Sequence, residues 1–216
     1  MVQQSMFLVL GATGRTGRHF IDKALEDGHR VRALVRTPAK LQRKSDQLDV
    51  RQGSITDPID IDALVTGIDF VVVMLGDREA QVHSKINTDF IKMLVPSMRR
   101  QGIKRLLYQA GGLSKPCGGH LSPLLWIIRH TIARGFAGQH KDNEAVMEYL
   151  ATEATDIEWI VHRAGIGSDG PSKGILQRSG TKFSVSTHHD CALYNYATVS
   201  DASAIHTADF SQYTKD

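Results

Sequence analysis

Short runs rich in apolar residues alternate along the chain with stretches in which apolar residues recur at helical spacing. The runs that fit strands are Phe7–Leu10, Val31–Val35, Asp49–Gly53, Phe70–Gly76, Arg105–Gln109 and Glu158–His162. Between them, apolar positions three and four residues apart indicate one face of a helix. The order β-α-β-(α)-β-α-β-α-β up to the fifth strand predicts an α/β fold, a Rossmann-type, doubly wound parallel sheet.

The same periodicity predicts the helices. One helix follows Gly17. The others span Pro58–Val65, Ile86 to about Gly102, Leu124–Ala133 and Gln139–Leu150. Pro96 lies inside one of them and should kink or break it. The Leu124–Ala133 run is strongly apolar, and it fits either core packing or a hydrophobic wall that faces a substrate or a partner subunit.

The C-terminal third has the weakest pattern. It contains a probable short strand at Phe183–Ser186 and a last helix capped near Ser200 or Asp201. The loop from Ala110 to Pro123 is rich in glycine and proline, and nothing in its composition predicts rigidity. It lies where a substrate lid would be expected.

A glycine-rich turn follows the first strand. Gly11, Gly14 and Gly17 stand at three-residue spacing between an apolar strand and a helical pattern. In a nucleotide-binding βαβ unit the first glycine allows a tight turn, the second admits a pyrophosphate and the third lets helix and strand pack closely. The helix N-terminus then offers N–H groups to a phosphate. The pattern predicts a dinucleotide site that includes Gly11, Thr13, Gly14, Arg15, Thr16 and Gly17.

The residue that ends the second strand favours one nucleotide over the other. A carboxylate about 20 residues after the glycines would bind the ribose 2′-hydroxyl of NAD(H). Here the strand ends at Arg36, whose guanidinium can instead bind a 2′-phosphate. Arg15 is a second cation expected in the same region. The sequence therefore favours NADP(H) over NAD(H).

Ligands of open α/β sheets lie at the carboxyl ends of the strands. That rule places further residues beside the cofactor. They are Ser54 and Ile55 after the third strand, Leu75, Gly76 and Arg78 after the fourth, Ala110 after the fifth, and Ala164 and Ile166 after the sixth.

Length and composition narrow the class of protein. The 216 residues fit a single NAD(P)-binding Rossmann domain over residues 1–216, with a small substrate-side portion at about 164–216. A net charge of +3 without a basic run argues against nucleic acid. Two cysteines and an early first strand favour a cytoplasmic protein, and no apolar run is long enough to favour a membrane partner. A homodimer stays possible.

Three stretches together resemble the NAD(P)H-binding, NmrA-like branch of the atypical short-chain dehydrogenases. They are the Gly11–Gly17 loop, the strand that ends at Arg36, and residues 140–165, which resemble the family's helix followed by a "WTIVRPG" strand, with Ala164 at the proline position. Residues 135–174 are most similar to fungal members associated with secondary metabolism. Gly76-Asp77-Arg78 is similar to the Gly-x-Arg of biliverdin/flavin reductase-like members.

The chain departs from this family at the proton donor. Related dehydrogenases use a Tyr four residues before a Lys, because the cation makes the phenol a usable acid. No tyrosine here has such a lysine, and Ala110 stands where the family often has Ser. His140 begins the helix that carries the pair in relatives, and a histidine of near-neutral pKa could replace it. The other interpretation of His140 is a solvent-facing residue near a helix start.

Other histidines carry weaker signals. His162 fits a hydrogen-bonded interior position, and the His188-His189-Asp190-Cys191 run lacks the partner spacing of a metal site, so we expect no metal.

Three functions remain open. The resemblance implies an NADP(H)-dependent oxidoreductase that acts on a hydrophobic, aromatic or polyketide-like small molecule. It equally includes isomerases or cyclases that retain the cofactor, and non-enzymatic sensors of NADP(H). The absent Tyr-Lys pair weakens the first function and leaves the other two.

Overall fold

The computed structural model describes residues 4–214, and one mostly parallel sheet runs through them. The strands are β1 (Met6–Leu10), β2 (Arg30–Val35), β3 (Leu48–Gln52), β4 (Phe70–Val73), β5 (Arg105–Gly111), β6 (Glu158–Ser168), β7 (Leu176–Ser179), β8 (Val185–Thr187) and β9 (Thr207–Tyr213). Their order is β3-β2-β1-β4-β5-β6-β9-β7, and β8 pairs with β6. Only the β7–β9 pair is antiparallel among these strands.

Helices cover both faces of the sheet. They are α1 (Arg15–Glu26), α2 (Ile61–Val65), α3 (Ala80–His83), α4 (Ile86–Arg100), α5 (Pro123–His130), α6 (Ala137–Glu153) and α7 (His188–Val199). Alternate residues of β1 point to opposite faces, so Leu8 packs in one core cluster with α4 and α6. Val9 packs in the other cluster with α1 and α7. The predicted doubly wound α/β fold is confirmed.

Several predicted boundaries were wrong. The short helix begins at Ile61, with the Asp60 side chain as its N-cap, and not at Pro58. The sixth strand continues to Ser168, so Arg163–Gly167 is strand and not an exit loop. Pro96 does not interrupt α4, which is continuous from Ile86 to Arg100.

The C-terminal third contains elements that the pattern did not predict. Helix α7 begins at His188, with Thr187 as N-cap, and ends at Val199. Ser200 therefore follows a helix, and Asp201 caps only a single 3-10 turn. Strand β9 extends the sheet beyond β6. Of the predicted domain over residues 1–216, residues 1–3 and 215–216 lie outside the described residues.

Helix α5 lies on the surface. None of its residues is buried, and Leu124, Trp126 and Ile127 are each more than half exposed. The core-packing interpretation of this run was wrong. No helix within residues 4–214 has the length and apolar content that crossing a bilayer requires.

The beginning of the loop after β5 is firmly held, contrary to expectation. Arg129 donates to the Leu113 carbonyl (2.9 Å) and Arg163 to the Ser114 carbonyl (3.0 Å). The Lys115 N–H donates to Glu144 (2.8 Å). Three successive residues are thus each fixed by a charged side chain from another element.

Candidate functional site

A cleft of about 290 Å³ opens at the carboxyl ends of β1, β2 and β4. Strand β1 pairs with β2 on one side and with β4 on the other, and the chain crosses from β3 to β4 past β1. This is therefore the point where the strand order reverses. Predicted residues that line the cleft are Gly11, Thr13, Gly14, Arg36, Ser54, Ile55, Leu75 and Gly76. With the residues after β3 included, the structure therefore brings the ends of four strands to one cavity.

The glycines of the turn have different structural reasons. Gly11 has a φ of +91°, and a Cβ there would overlap the Met74 carbonyl. A Cβ on Gly17 would overlap the Gly11 carbonyl, so this glycine allows α1 to pack against the turn. Gly14 has an ordinary φ of −70°, and its nearest neighbour to a Cβ is the Gly11 oxygen at 3.1 Å. Gly14 thus leaves space on its cleft side.

The first turn of α1 is free to bind an anion. The N-cap residue is Gly14, which has no side chain, and no side-chain hydrogen bond caps this turn. The initial N–H groups of a helix have no partner within it, and the helix dipole makes this end positive. Asn87, also at the cleft, has a buried Oδ1 that accepts no hydrogen bond from the described residues. The cleft therefore offers donors for phosphates and one unused acceptor for an amide or hydroxyl.

The two predicted cations occupy different places. Arg36 lines the cleft, with its guanidinium exposed and 3.3 Å from the Asp77 carboxylate. Arg15 forms an ion pair with Asp169 (2.8 Å) and does not line the cleft. The expectation that Arg15 and Arg36 face the same region is not met in this structure, because Asp169, which follows β6, holds Arg15 away from the cleft.

Other predicted cofactor residues lie outside this cleft. Arg78 donates to the Gly135 carbonyl (3.0 Å) and stacks over Phe136. Thr16 is buried and bonds to His188 (3.0 Å). Ala110 is buried, and it lines neither this cleft nor the second cavity described next. Ala164 and Ile166 line that second cavity instead.

The second cavity, of about 270 Å³, lies beside the first. Its walls come from the end of β5, the start of α6, β6 and the segment around Phe183: Gly111, Gly112, Leu113, Ala133, Phe136, Gln139, His140, Asn143, Ala164, Gly165, Ile166, Phe183 and Val185. None of these lining residues is Asp, Glu, Lys or Arg. The cavity suits an uncharged, largely apolar molecule.

His140 lies in this cavity and not in solvent. It is 6% exposed, and neither ring nitrogen has a hydrogen-bond partner among the described residues. Burial, reinforced by the charge of Arg129, lowers the pKa of His140 to about 4. The solvent-facing interpretation was wrong, and so was the expected near-neutral pKa. His140 is a neutral imidazole at physiological pH. Neither ring nitrogen makes a hydrogen bond of ordinary geometry, although the nearby Ala133 backbone and the Glu144 charge oppose the fall in its pKa.

A chain of buried side chains joins the two cavities. Asn87, at the first cleft, donates to the Tyr108 hydroxyl (3.0 Å), and that hydroxyl donates to Asn143 (2.6 Å). Asn143, at the second cavity, donates to Ser114 (3.3 Å). Burial raises the pKa of Tyr108 far above its usual value, so this tyrosine orders amides and does not supply protons.

Sequence analysis missed several of these polar residues. Asn143 stands one helical turn after His140, so the spacing alone would have placed both on one face. Asp142 faces the other way: buried, it accepts from the Asn87 N–H (3.0 Å) and the Thr88 N–H (3.0 Å) and so caps α4. Asn87 carried no signal, because its role depends on the packing of α4 against α6.

His162 has a structural role in the interior. His162 bonds to Asn195 (2.6 Å) and Ser211 (2.9 Å), which confirms its predicted interior role. Burial lowers the pKa of His162 to about 4 and raises that of the Cys191 thiol. No group of metal-ligating residues comes together between residues 4 and 214.

Comparison with known proteins agrees with this geometry. A 3β-hydroxysteroid dehydrogenase/Δ5→4-isomerase of Mycobacterium tuberculosis is 31% identical over 112 residues. That match covers 47% of this chain and 30% of the mycobacterial enzyme, so it spans about a third of the relative.

Solved structures share the fold over nearly the whole chain. A protein from Bacteroides thetaiotaomicron superposes with a TM-score of 0.81 at 16% identity, covering 99% of both chains. The anaerobilin reductase ChuY of Escherichia coli O157:H7 gives 0.73 at 15% identity, covering 96% of each. The profile of the NAD(P)H-binding family matches residues 11–199. This chain belongs to the NAD(P)H-binding family.

Proposed function

We propose that this protein is an NADP(H)-dependent oxidoreductase that acts on an uncharged, hydrophobic small molecule. The proposal depends mainly on one observation: the cleft beside the glycine-rich turn and the cavity without charged lining meet where Gly76 approaches Gln139. A Cβ on Gly76, in the cleft, would lie 3.2 Å from the Gln139 Nε2, in the cavity. A cofactor in one and a substrate in the other would therefore be neighbours.

The cleft residues fit a nicotinamide dinucleotide that carries a 2′-phosphate. The free first turn of α1 would bind the pyrophosphate, and Gly14 leaves the room that it needs. Arg36 would bind the 2′-phosphate, since its contact with Asp77 is long and exposed. Asn87 Oδ1 would accept from an N–H or hydroxyl of the bound cofactor.

The cavity residues support reduction of a carbonyl or a comparable electrophile. When bound, the reduced cofactor supplies a hydride. His140, neutral and unpartnered, would donate its N–H to the oxygen on which negative charge develops. Asn143 would position the same molecule. The proton that completes the alcohol then comes from solvent, because the imidazole is not protonated.

The substrate class rests on the apolar walls of this cavity and on the resemblance of residues 135–174 to fungal members associated with secondary metabolism. Both favour an aromatic or polyketide-like compound. A cytoplasmic location is supported separately, by two cysteines that form no disulfide.

A cofactor-retaining isomerase is the second candidate. An unprotonated, buried imidazole is a competent base toward a carbon acid, and His140 has that state. The mycobacterial relative is named for both a dehydrogenase and an isomerase activity.

The test is a screen of quinones, flavins and polyketide aldehydes against NADPH absorbance, with products analysed by mass spectrometry. Loss of NADPH with a gain of two hydrogens in the product supports the oxidoreductase. A product of unchanged mass with NADPH retained supports the isomerase. NADPH binding without any turnover leaves the sensor, and would overturn the proposed function.

A further inference from the structure

The α5 surface is an exposed apolar patch in a part of the chain that has no acidic residue. We define it by the side chains of Leu124, Trp126, Ile127, Ile132 and Phe136, which are between 41% and 85% exposed. No aspartate or glutamate occurs in the sequence between Asp89 and Asp142. A patch of this kind in a folded domain indicates a partner.

Helix α5 is well formed although it buries none of its residues. Pro123 occupies its first turn and the Ser122 side chain accepts from the Leu125 N–H. Arg129 attaches the helix to the body of the protein through Glu144 and the Leu113 carbonyl. Leu124, Trp126 and Ile127 are therefore presented on an anchored helix, and Ile132 and Phe136 follow in the segment after it.

A basic cleft adjoins the α5 surface. Lys85, Arg134 and Lys141 line it together with His83, and its lining includes no acidic residue. None of the three cations forms an ion pair within the part of the chain that the structure describes. Arg134 stands between Ile132 and Phe136, so the cations and the apolar side chains share one segment.

We propose that the α5 surface and the basic cleft bind the surface of an anionic lipid bilayer. Trp and aliphatic side chains that enter the headgroup region, flanked by unpaired Lys and Arg, are the combination that such a surface recognises. A protein partner would need acidic groups and apolar side chains at fixed positions that match this surface. An anionic bilayer offers negative charge and an apolar interior without any such fixed positions. The sequence alone favoured no membrane partner, and the three-dimensional arrangement revises that expectation to peripheral binding.

This orientation has a consequence for the second cavity. Ala133 and Phe136 belong to its wall and lie in the segment that would face the lipid. A hydrophobic molecule could therefore enter from the bilayer. Lipid binding itself does not depend on the proposed enzymatic function, so each can fail alone.

The test is flotation of the full-length protein with phosphatidylcholine vesicles, with and without phosphatidylserine. Binding is expected only with the anionic vesicles and should fall as salt is raised. Replacing both cations, Arg134→Gln with Lys141→Gln, should lower the partition coefficient about 25-fold, at about fivefold per cation. Lys44→Gln with Lys182→Gln removes two exposed cations elsewhere and should leave it unchanged.

A second pair of variants tests the contribution of the apolar side chains to vesicle binding. Ile132→Ser should weaken vesicle binding about tenfold, whereas Ile175→Ser, at another exposed isoleucine, should not. Brominated lipid should quench Trp126 and spare the buried Trp159. Equal binding to neutral vesicles, or no binding at all, would refute the proposal. A change from dimer to monomer in Ile132→Ser, without vesicle binding, would assign the surface to a second copy instead.

Discussion

Gly76 and Gln139 stand at the boundary between the two cavities: a Cβ on Gly76 would lie 3.2 Å from the Gln139 Nε2. Gly76 lies in the loop between β4 and α3, and Gln139 lies in the first turn of α6. Because the neighbouring atom is the end of a flexible side chain, Gly76→Ala should fold. The added methyl would nevertheless narrow the junction, so turnover should fall while NADPH affinity stays nearly constant. Steady-state kinetics beside calorimetry would separate the two effects.

Arg36 should determine the preference for NADPH. Arg36→Asp should weaken NADPH binding by about 1.5–3 kcal/mol, since a charge-assisted hydrogen bond to the 2′-phosphate is lost. NADH affinity should change little. Titration calorimetry with both nucleotides measures this difference.

Asp77 provides the matched control. It is the carboxylate closest to Arg36, at 3.3 Å, so Asp77→Asn should release the guanidinium and raise NADPH affinity modestly. Equal affinity of the unmodified protein for NADPH and NADH would contradict the assignment of Arg36.

Gly14 and Gly17 should respond differently to the same substitution. Gly14→Val points a side chain into the cleft and should abolish nucleotide binding with the fold retained. Gly17→Val overlaps the Gly11 carbonyl and should instead destabilise the protein strongly. Thermal melts followed by NADPH titration distinguish them. If Gly14→Val bound NADPH normally, the turn would have only a structural role.

The sequence predicted those parts of the molecule that depend on local pattern. The strands β1 and β4 are buried parallel strands with continuous apolar runs, and the turn with GxxGxxG spacing borders the first cleft. Strand β9 was missed because its burial comes from pairing with β6, not from an apolar pattern of its own.

The state of His140 could not be read from spacing. Its depressed pKa comes from burial and from Arg129, whose position depends on the path of α5. The apolar composition of α5 suggested core, and only tertiary packing decides whether an apolar helix is covered. The ion pair of Arg15 with Asp169 joins residues 154 positions apart and left no sequence signal.

Acid should destabilise the protein through two histidines. His140 and His162 have folded pKa values of about 4, below the ordinary 6.5. Their stabilising effect is complete above pH 6.5 and is lost as pH falls toward 4, because only the unfolded chain takes up protons. The free energy of unfolding should drop by about 1.4 kcal/mol per pH unit for each histidine. Urea denaturation at several pH values measures the slope.

Phenylalanine substitutions separate the two contributions. His140→Phe should halve that slope at little cost near pH 8, because no hydrogen bond is lost. His162→Phe should also reduce the slope, but it leaves Asn195 and Ser211 without their partner and should cost about 2 kcal/mol or more. An unchanged slope in His140→Phe would mean that this imidazole titrates normally.

Glu144 should control the mobility of residues 113–136. Its carboxylate accepts from Arg129 and from the Lys115 N–H. Burial by itself would raise the pKa of Glu144, but these two contacts outweigh it and hold the pKa below its usual value. Glu144→Gln should cost about 1–3 kcal/mol, because Arg129 is left half-paired in a poorly solvated place. Trypsin should then cleave this segment faster. Asp156→Asn, which breaks the exposed pair with Arg99, should change stability little, because solvent screens this pair, and should leave cleavage unchanged.

The chemistry of His140 is the final prediction. A neutral imidazole acts in the proposed reduction by donating an N–H to the developing oxyanion, and losing one such donor costs about 10²–10³ in kcat. His140→Phe should show that loss with unchanged NADPH affinity, while His140→Gln, which keeps an N–H donor, should recover part of it. The pH–rate profile of the unmodified protein should be flat from pH 8 to about 5 and fall toward 4, where the ring protonates. An inflection near pH 6.5 that disappears in the variant would instead make His140 a conventional acid. Turnover that survives His140→Phe would leave the imidazole with no part in the reaction, and Gln139 and Asn143 would then be the polar residues left to test in that cavity.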